Sequence, residues 1–156
     1  MIWRRSLGIT SNADKLKALK SIDLSHLTKA EAKEFTVLLE ELTKREFQEE
    51  SASTFMHFVK AIWSDFINGD HHVKMAKAFD DIASGKLKRL IINMPPRHTK
   101  SEFASHLFPA YLLGKNPKLK IIEATHTADL AVNFGRKTRD LIDGEEYHKL
   151  IPDTEL

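Results

Sequence analysis

The residues best suited to chemistry lie between Met94 and Ser101, in the sequence Met-Pro-Pro-Arg-His-Thr-Lys-Ser. The last two, Lys100 and Ser101, match the end of the phosphate-binding motif G-x-x-x-x-G-K-[ST]. In that motif the lysine reaches the β- and γ-phosphates and the hydroxyl ligates Mg²⁺. Here both motif glycines are replaced, by Met94 and Thr99. The octapeptide taken alone therefore also suits an ordinary helix start, capped by Thr99 or Ser101.

The elements expected around this loop would place it between a strand and a helix. The short apolar run at 89–94, ended by two prolines, predicts a buried strand, and residues 99–113 predict a helix. Residues 119–124 predict a second strand, and a further helix is expected from Thr127 to about 144. This order predicts an α/β fold with a partial parallel sheet. A helix N-terminus that follows a strand is a favourable place for a phosphate.

The sequence pattern of the first half of the chain predicts helices. Thr28 and Glu31 have the spacing of a capping box, and apolar residues at helical spacing follow to about residue 50. Further helices are expected at 54–66, whose aromatic residues should lie in the core, and at 71–83. We therefore expect residues 1–69 to form a helical region that precedes the α/β part, residues 70–156.

Composition narrows the possible functions of the 156 residues. The absence of cysteine excludes disulfide scaffolds, thiol nucleophiles and cysteine-based zinc sites. The longest apolar runs are only a few residues, so we expect no membrane span. Residues 88–139 carry 10 Lys or Arg but only 3 Asp or Glu. Such a basic block suits phosphates or a nucleic-acid backbone, although a solvated basic face would look the same.

The loop and its surroundings resemble the large terminase subunits of tailed phages, the ATPases that package DNA into procapsids. Arg-Leu-Ile-Ile-Asn-Met-Pro-Pro-Arg-His-Thr-Lys-Ser-Glu, at 89–102, is similar to the variant Walker A segment of that family. The family loop commonly reads M-P-P-R-H-G/T-K-S, so the missing glycines are a family variant. Residues 108–117, 125–131 and 134–139 resemble the segments that follow this loop in the family. The resemblance covers about residues 70–156.

This resemblance implies a P-loop NTPase-like fold that binds ATP and Mg²⁺. Lys100 and Arg97 would be the catalytic residues, with Arg97 sensing the γ-phosphate and Ser101 holding Mg²⁺. The implied nucleotide contacts are Pro96, Arg97, His98, Thr99, Lys100 and Ser101, together with His71 at the base. The implied partners are double-stranded DNA without sequence preference, the portal and the small terminase subunit. The implied setting is a homo-oligomeric ring in the host cytoplasm, without a membrane.

Two parts of a complete motor are not found in the sequence. No hydrophobic run ending in Asp-Glu follows Ser101, so the Walker B acids are missing, and so is the acidic cluster of the family's nuclease domain. We therefore expect an N-terminal piece that binds nucleotide with little hydrolysis. Two alternatives stay open. One is another P-loop nucleotide enzyme, such as a small-molecule kinase, and the other is a non-catalytic assembly module that docks onto the packaging machinery.

Arg136 and Arg139 allow two interpretations. Ring motors often complete one subunit's site with an arginine from a neighbour, and either residue could serve in that way. However, Asp140 and Asp143 each follow one of these arginines by four residues, which is the spacing of a helical salt bridge. The second interpretation predicts two ion pairs on a solvated helix face.

Overall fold

The architecture is that of a computed structural model, which describes residues 16, 17, 21 and 28–152. The chain divides into two compact units, residues 1–49 and 50–156. Helix α1 (Lys29–Ser53) begins with the predicted capping box. The Thr28 N–H donates to Glu31 Oε2 at 2.9 Å, and the Glu31 N–H donates to Thr28 Oγ1 at 3.4 Å. The predicted long helix is thus confirmed, and its start has a purely local cause.

The described part of the second unit is built from helices and the loops between them. They are α2 (Phe55–Ile62), α3 (Asp70–Ala83), α4 (Lys100–Glu102), a π-helix (Phe103–Leu107), α5 (Phe108–Lys115), α6 (Ala128–Ile142) and α7 (Glu145–Leu150). Two threonine caps position α2 and α6, since Thr54 Oγ1 accepts from His57 N–H and Thr127 Oγ1 accepts from Leu130 N–H. No helix in the described ranges combines the length and the apolar character that crossing a membrane requires.

The predicted α/β fold with a partial parallel sheet is wrong. Between residues 28 and 152 the structure contains no β-strand, and the two segments predicted as strands, 89–94 and 119–124, are extended loops. Side chains in the first segment do alternate, because Leu90, Ile92 and Met94 pack against the core while Ile91 is 85% exposed. Among the described residues, the backbone contact made by either segment is a local turn, in which Leu119 N–H donates to Asn116 O at 3.1 Å, and neither segment pairs with another extended segment. The local conformation was therefore predictable, but the strand pairing was not.

An aromatic cluster forms the centre of the core. Phe55 is fully buried, and its ring contacts four other aromatic rings edge-on at centroid distances of 5.1–5.6 Å. The four rings belong to Phe79, Phe103, Phe108 and Tyr111. These residues lie on α3, the π-helix and α5, so the core holds α2 against both the helix before the loop and the helical segment after it. The core prediction for the aromatics of 54–66 is confirmed for Phe55 and Phe58, whereas Trp63 is 36% exposed.

A π-helix interrupts the helical segment that follows the loop. Phe108 N–H bonds to Phe103 O, five residues back, instead of the usual four. The wide turn comes immediately before Pro109, whose ring would clash with the carbonyl four residues earlier in a regular α-helix. The π-turn thus lets a single helical segment run from Lys100 to Lys115.

Candidate phosphate-binding loop

The backbone of the Met94–Ser101 loop is left-handed at two residues that are not glycine. Arg97 has φ 65° and Thr99 has φ 56°. This conformation is rare for a β-branched residue such as threonine and costs about 1–2 kcal/mol per residue. Thr99 occupies the position of the second glycine of the phosphate-binding motif, the residue before Lys100. The chain therefore adopts a glycine-like conformation at this position without a glycine.

Three hydrogen bonds in series connect Thr99 to the start of the preceding helix, α3. Gly69 N–H donates to His72 Nδ1 at 2.9 Å, so the proton of a neutral imidazole lies on Nε2. Nε2 lies 2.6 Å from Thr99 Oγ1, which in turn donates to His98 O at 2.7 Å. Each donor in this chain thus meets an acceptor. The arrangement joins the start of α3 to the loop across 27 residues of sequence.

His72 lies in a largely apolar environment. Its side chain is 6% exposed, and the Phe66 and Phe103 rings lie 4.8 and 5.2 Å from the imidazole. Burial lowers the pKa of His72 below its usual 6.5, and charge on His71 and His98 lowers this pKa further. The neutral imidazole that the hydrogen-bond chain requires is therefore also the form that the surroundings favour.

The side chains of the loop itself are mostly exposed. Lys100 folds back across the loop, with Nζ 3.5 Å from Met94 O. The side chain of His98 returns to the backbone, where Nδ1 lies 2.9 Å from Pro96 O. Arg97 and Ser101 are exposed, and within residues 28–152 neither makes a side-chain hydrogen bond or ion pair. Two cations and one hydroxyl are thus available to an anion that approaches the loop.

A second polar cluster ties the helix after the loop to α6. Glu102 accepts from His106 Nδ1 at 2.5 Å and forms an ion pair with Lys137 at 3.5 Å. The other ring nitrogen of His106 lies 3.2 Å from Lys137 O. Burial raises the pKa of Glu123, although the charge of His106 opposes this shift. The carboxylate of Glu102, which is close to the loop in sequence, thus has Lys137 as a cationic partner and His106 as a hydrogen-bond partner.

The structure brings His71 to the predicted loop residues. The His71 ring lies 3.8 Å from His72 and 5.7 Å from His98. His72, rather than His71, makes the hydrogen bond to the loop, and the sequence pattern did not predict this contact. The available signal was its spacing: His72 is the third residue of α3, where a side chain can accept from the N-cap N–H. Glu and Gln are the usual residues at that position, so the histidine was not recognised.

The arginines of α6 do not form the predicted pairs. Arg139 bonds to its neighbour Asp140, with Nε 3.0 Å from Oδ1, instead of Asp143. Between residues 28 and 152, Arg136 has no ion pair. The two predicted four-residue pairs are therefore wrong, and Arg136 is an exposed cation on α6.

The loop is the group of residues that best fits a phosphate ligand. In the described residues no three His, Asp or Glu side chains are grouped as a metal site, and a Mg²⁺ ion held by Ser101 would take its remaining ligands from phosphate and water. Searches of protein families, curated proteins and solved structures found no match to this chain. The geometry of the loop and the sequence resemblance are therefore the indications of function.

Proposed function

We propose that the Met94–Ser101 loop binds the phosphates of Mg²⁺–ATP, and that the chain is the nucleotide-binding portion of a tailed-phage terminase large subunit. In this proposal Lys100 contacts the β- and γ-phosphates, Arg97 faces the γ-phosphate and Ser101 ligates Mg²⁺. Such a subunit powers translocation of viral DNA into procapsids, in the host cytoplasm. Without a second acid for Mg²⁺, the chain alone should hydrolyse ATP slowly or not at all.

The observation that carries the proposal is the left-handed backbone at Thr99. Phosphate-binding loops need a residue with positive φ at this position, so that successive N–H groups can turn toward the anion, and glycine normally provides it. Thr99 reaches φ 56° despite its Cβ. Strained backbone of this kind persists where the surroundings hold it, and it is concentrated at ligand sites.

Charge supports the same conclusion. Arg97 and Lys100 are the ionisable side chains of the loop that are always cationic near pH 7, and the nearest acid in sequence, Glu102, is paired with Lys137 and His106. Lys100 now donates to Met94 O, at a long distance of 3.5 Å. Moving this ammonium group from a weak carbonyl contact to a phosphate oxygen would exchange a neutral acceptor for a charged one.

Titration with a slowly hydrolysed ATP analogue and Mg²⁺ tests the proposal. Lys100→Ala should weaken binding at least about tenfold, the equivalent of a lost charge-assisted hydrogen bond. Lys118→Ala, which removes an exposed lysine outside the loop, should leave the affinity unchanged. Equal binding by the wild type and Lys100→Ala, or no binding by the wild type, would refute the proposal.

DNA is the proposed partner of the basic block. Lys86 and Lys115, which precede the two extended segments, line one surface groove together with Asp80 and Asp81. Three further exposed lysines lie nearby in sequence: Lys88 and Lys118 come directly before the two segments, and Lys120 lies on the second. DNA binding through such cations should be independent of the base sequence. The logarithm of the binding constant should fall linearly with the logarithm of the salt concentration. Fluorescence anisotropy with two unrelated duplexes at several salt concentrations measures both properties.

A further inference from the structure

We propose that His72 is a positioning residue that keeps the phosphate loop in its binding conformation, and that it does so only as the neutral imidazole with its proton on Nε2. The inference rests on the proposed function only for the identity of the ligand, which is a phosphate group. The series of hydrogen bonds from Gly69 through His72 to Thr99 is present in the protein without a ligand.

Each nitrogen of His72 has one defined task. Nδ1 must accept, because its partner at 2.9 Å is the Gly69 N–H, which can only donate. Nε2 must donate, because the hydroxyl hydrogen of Thr99 is directed to the carbonyl of His98 at 2.7 Å. The Thr99 oxygen is therefore left as the acceptor at 2.6 Å from Nε2. The tautomer with its proton on Nε2 satisfies both contacts and leaves the Thr99 hydroxyl free to donate to His98 O, whereas the other tautomer places two donors face to face at Gly69.

Protonation of His72 would break this chain at Gly69. With a proton on both nitrogens, Nδ1–H and the Gly69 N–H would face each other as two donors. The ring would have to move, and Thr99 would lose its hydrogen bond to the His72 side chain. A left-handed threonine has little intrinsic stability, so its backbone should then relax toward an ordinary conformation.

The neighbours of His72 oppose its protonation. The titratable groups that face it are His71, on the same helix, and His98, on the loop, and either one in its cationic form repels a proton on His72. The other side chains packed on the ring, Phe66 and Phe103, carry no charge. Protonation of His72, which these neighbours disfavour, should therefore add a like charge beside the loop and loosen it.

Two substitutions separate the tasks of the two nitrogens. In His72→Asn, the side-chain oxygen can replace Nδ1 as the acceptor for Gly69 but nothing reaches Thr99. In His72→Gln, the longer amide can replace Nε2 as the donor to Thr99. We expect His72→Asn to weaken binding of the ATP analogue about tenfold, as for a lost buried hydrogen bond, and His72→Gln to retain most of the affinity. His148→Gln, on α7, is the matched control and should behave as the wild type.

The pH dependence provides a readout that a merely structural role would not change. Since the phosphate ligand also titrates, the useful quantity is the ratio of wild-type to His72→Gln affinity at each pH. This ratio should be constant above pH 6.5 and should fall only at lower pH, as the pH drops through the lowered pKa of His72, because only the wild type then gains a proton at this position. A ratio that does not change with pH would overturn the inference.

A double-mutant cycle tests the link to the loop backbone. Glycine adopts positive φ without help, so in a Thr99→Gly background the change His72→Asn should cost much less than it does beside the threonine. Thr99→Val, which keeps the shape and removes the hydroxyl, should by itself resemble His72→Asn. Equal costs of His72→Asn in both backgrounds would mean that His72 acts elsewhere than on the loop.

Measurements without nucleotide separate this inference from the proposed function. Nitrogen-15 NMR should report the Nε2–H tautomer of His72, and hydrogen exchange should show a protected Gly69 amide that loses protection in His72→Ala. If both are observed but no analogue binds, the proposed function fails and the positioning of the loop by His72 stands. If the other tautomer is observed, the inference fails whatever the chain binds.

Discussion

The backbone N–H of Phe55 donates to Oδ1 of Asp80 at 2.8 Å, and this contact joins the first turn of α2 to α3. The hydroxyl of Tyr111 lies 3.3 Å from the same oxygen, so one carboxylate serves donors from two other elements. Phe55 and Tyr111 are themselves members of the aromatic core that supports the loop. The carboxylate thus supplements the local cap at Thr54 and also connects elements that are far apart in sequence.

Removal of this carboxylate should destabilise the protein. Asp80→Ala leaves the partly buried donors of Phe55 and Tyr111 without an acceptor, which should reduce the free energy of unfolding by about 1–3 kcal/mol. Asp80→Asn retains an acceptor oxygen and should lose less. Denaturant unfolding followed by circular dichroism measures both, with Asp81→Ala as the matched control. Wild-type stability in Asp80→Ala would contradict the assigned role.

Tyr111 should make the stability fall at high pH. Burial raises the pKa of Tyr111 above its usual 10.0, and the charge of Asp80 and its hydrogen bond raise this pKa further. The unfolded chain therefore loses the phenolic proton first, so the contribution to stability is complete below about pH 10 and is lost as the pH rises beyond it. Thermal unfolding across pH 9–11 should show a smaller decline in Tyr111→Phe. Identical declines would show that another group is responsible.

Replacement of two helical glycines, Gly114 and Gly135, by alanine should change the free energy of unfolding in opposite directions. A Cβ at Gly114 would collide with the Ile151 side chain and would lie 2.6 Å from the Tyr147 hydroxyl, whereas nothing lies within 4 Å of a Cβ at Gly135. Gly114→Ala should therefore lower the free energy of unfolding by about 1–3 kcal/mol, as in overpacked cores. Gly135→Ala should raise it by about 0.5–1 kcal/mol, because alanine is the better helix former. The same denaturant series measures both variants, and equal signs would refute the packing at Gly114.

Phe55 should be among the costliest residues to truncate. It is fully buried at the centre of the ring cluster, so Phe55→Ala should cost about 3–5 kcal/mol of stability. Ile67, which is 86% exposed, provides the control, and Ile67→Ala should change stability by about 0.5 kcal/mol or less. If the two variants unfold at similar denaturant concentrations, the described core is incorrect.

Replacement of Arg97 by glycine should separate backbone strain from charge. Relief of the left-handed conformation should raise the free energy of unfolding by about 1 kcal/mol, while loss of the guanidinium should weaken binding of the ATP analogue. Arg97→Lys keeps the charge and the strain, so it should leave stability unchanged and reduce affinity only partly. Tighter nucleotide binding by Arg97→Gly would contradict a phosphate contact by Arg97.

The sequence predicted most of the helices because their ends have local causes. The capping pair of Thr28 and Glu31, and the threonine caps at Thr54 and Thr127, lie within three residues of the N–H groups that they bind. The two predicted strands show the limit of the same reasoning. Residues 89–94 are extended and alternate as expected, but a strand also needs a partner, and no pattern within the segment specifies one.

The sequence by itself predicted which residues of the loop carry groups suited to a phosphate, since Lys100 and Ser101 match the end of the motif and Arg97 lies three residues before Lys100. Only the tertiary structure decided how a loop without glycine is held. The support comes from His72, which lies 27 residues away and reaches Thr99 because the aromatic core packs α3 against the π-helix after the loop. Contacts between distant segments depend on the packing of the whole core, whereas caps and motifs depend on neighbours along the chain.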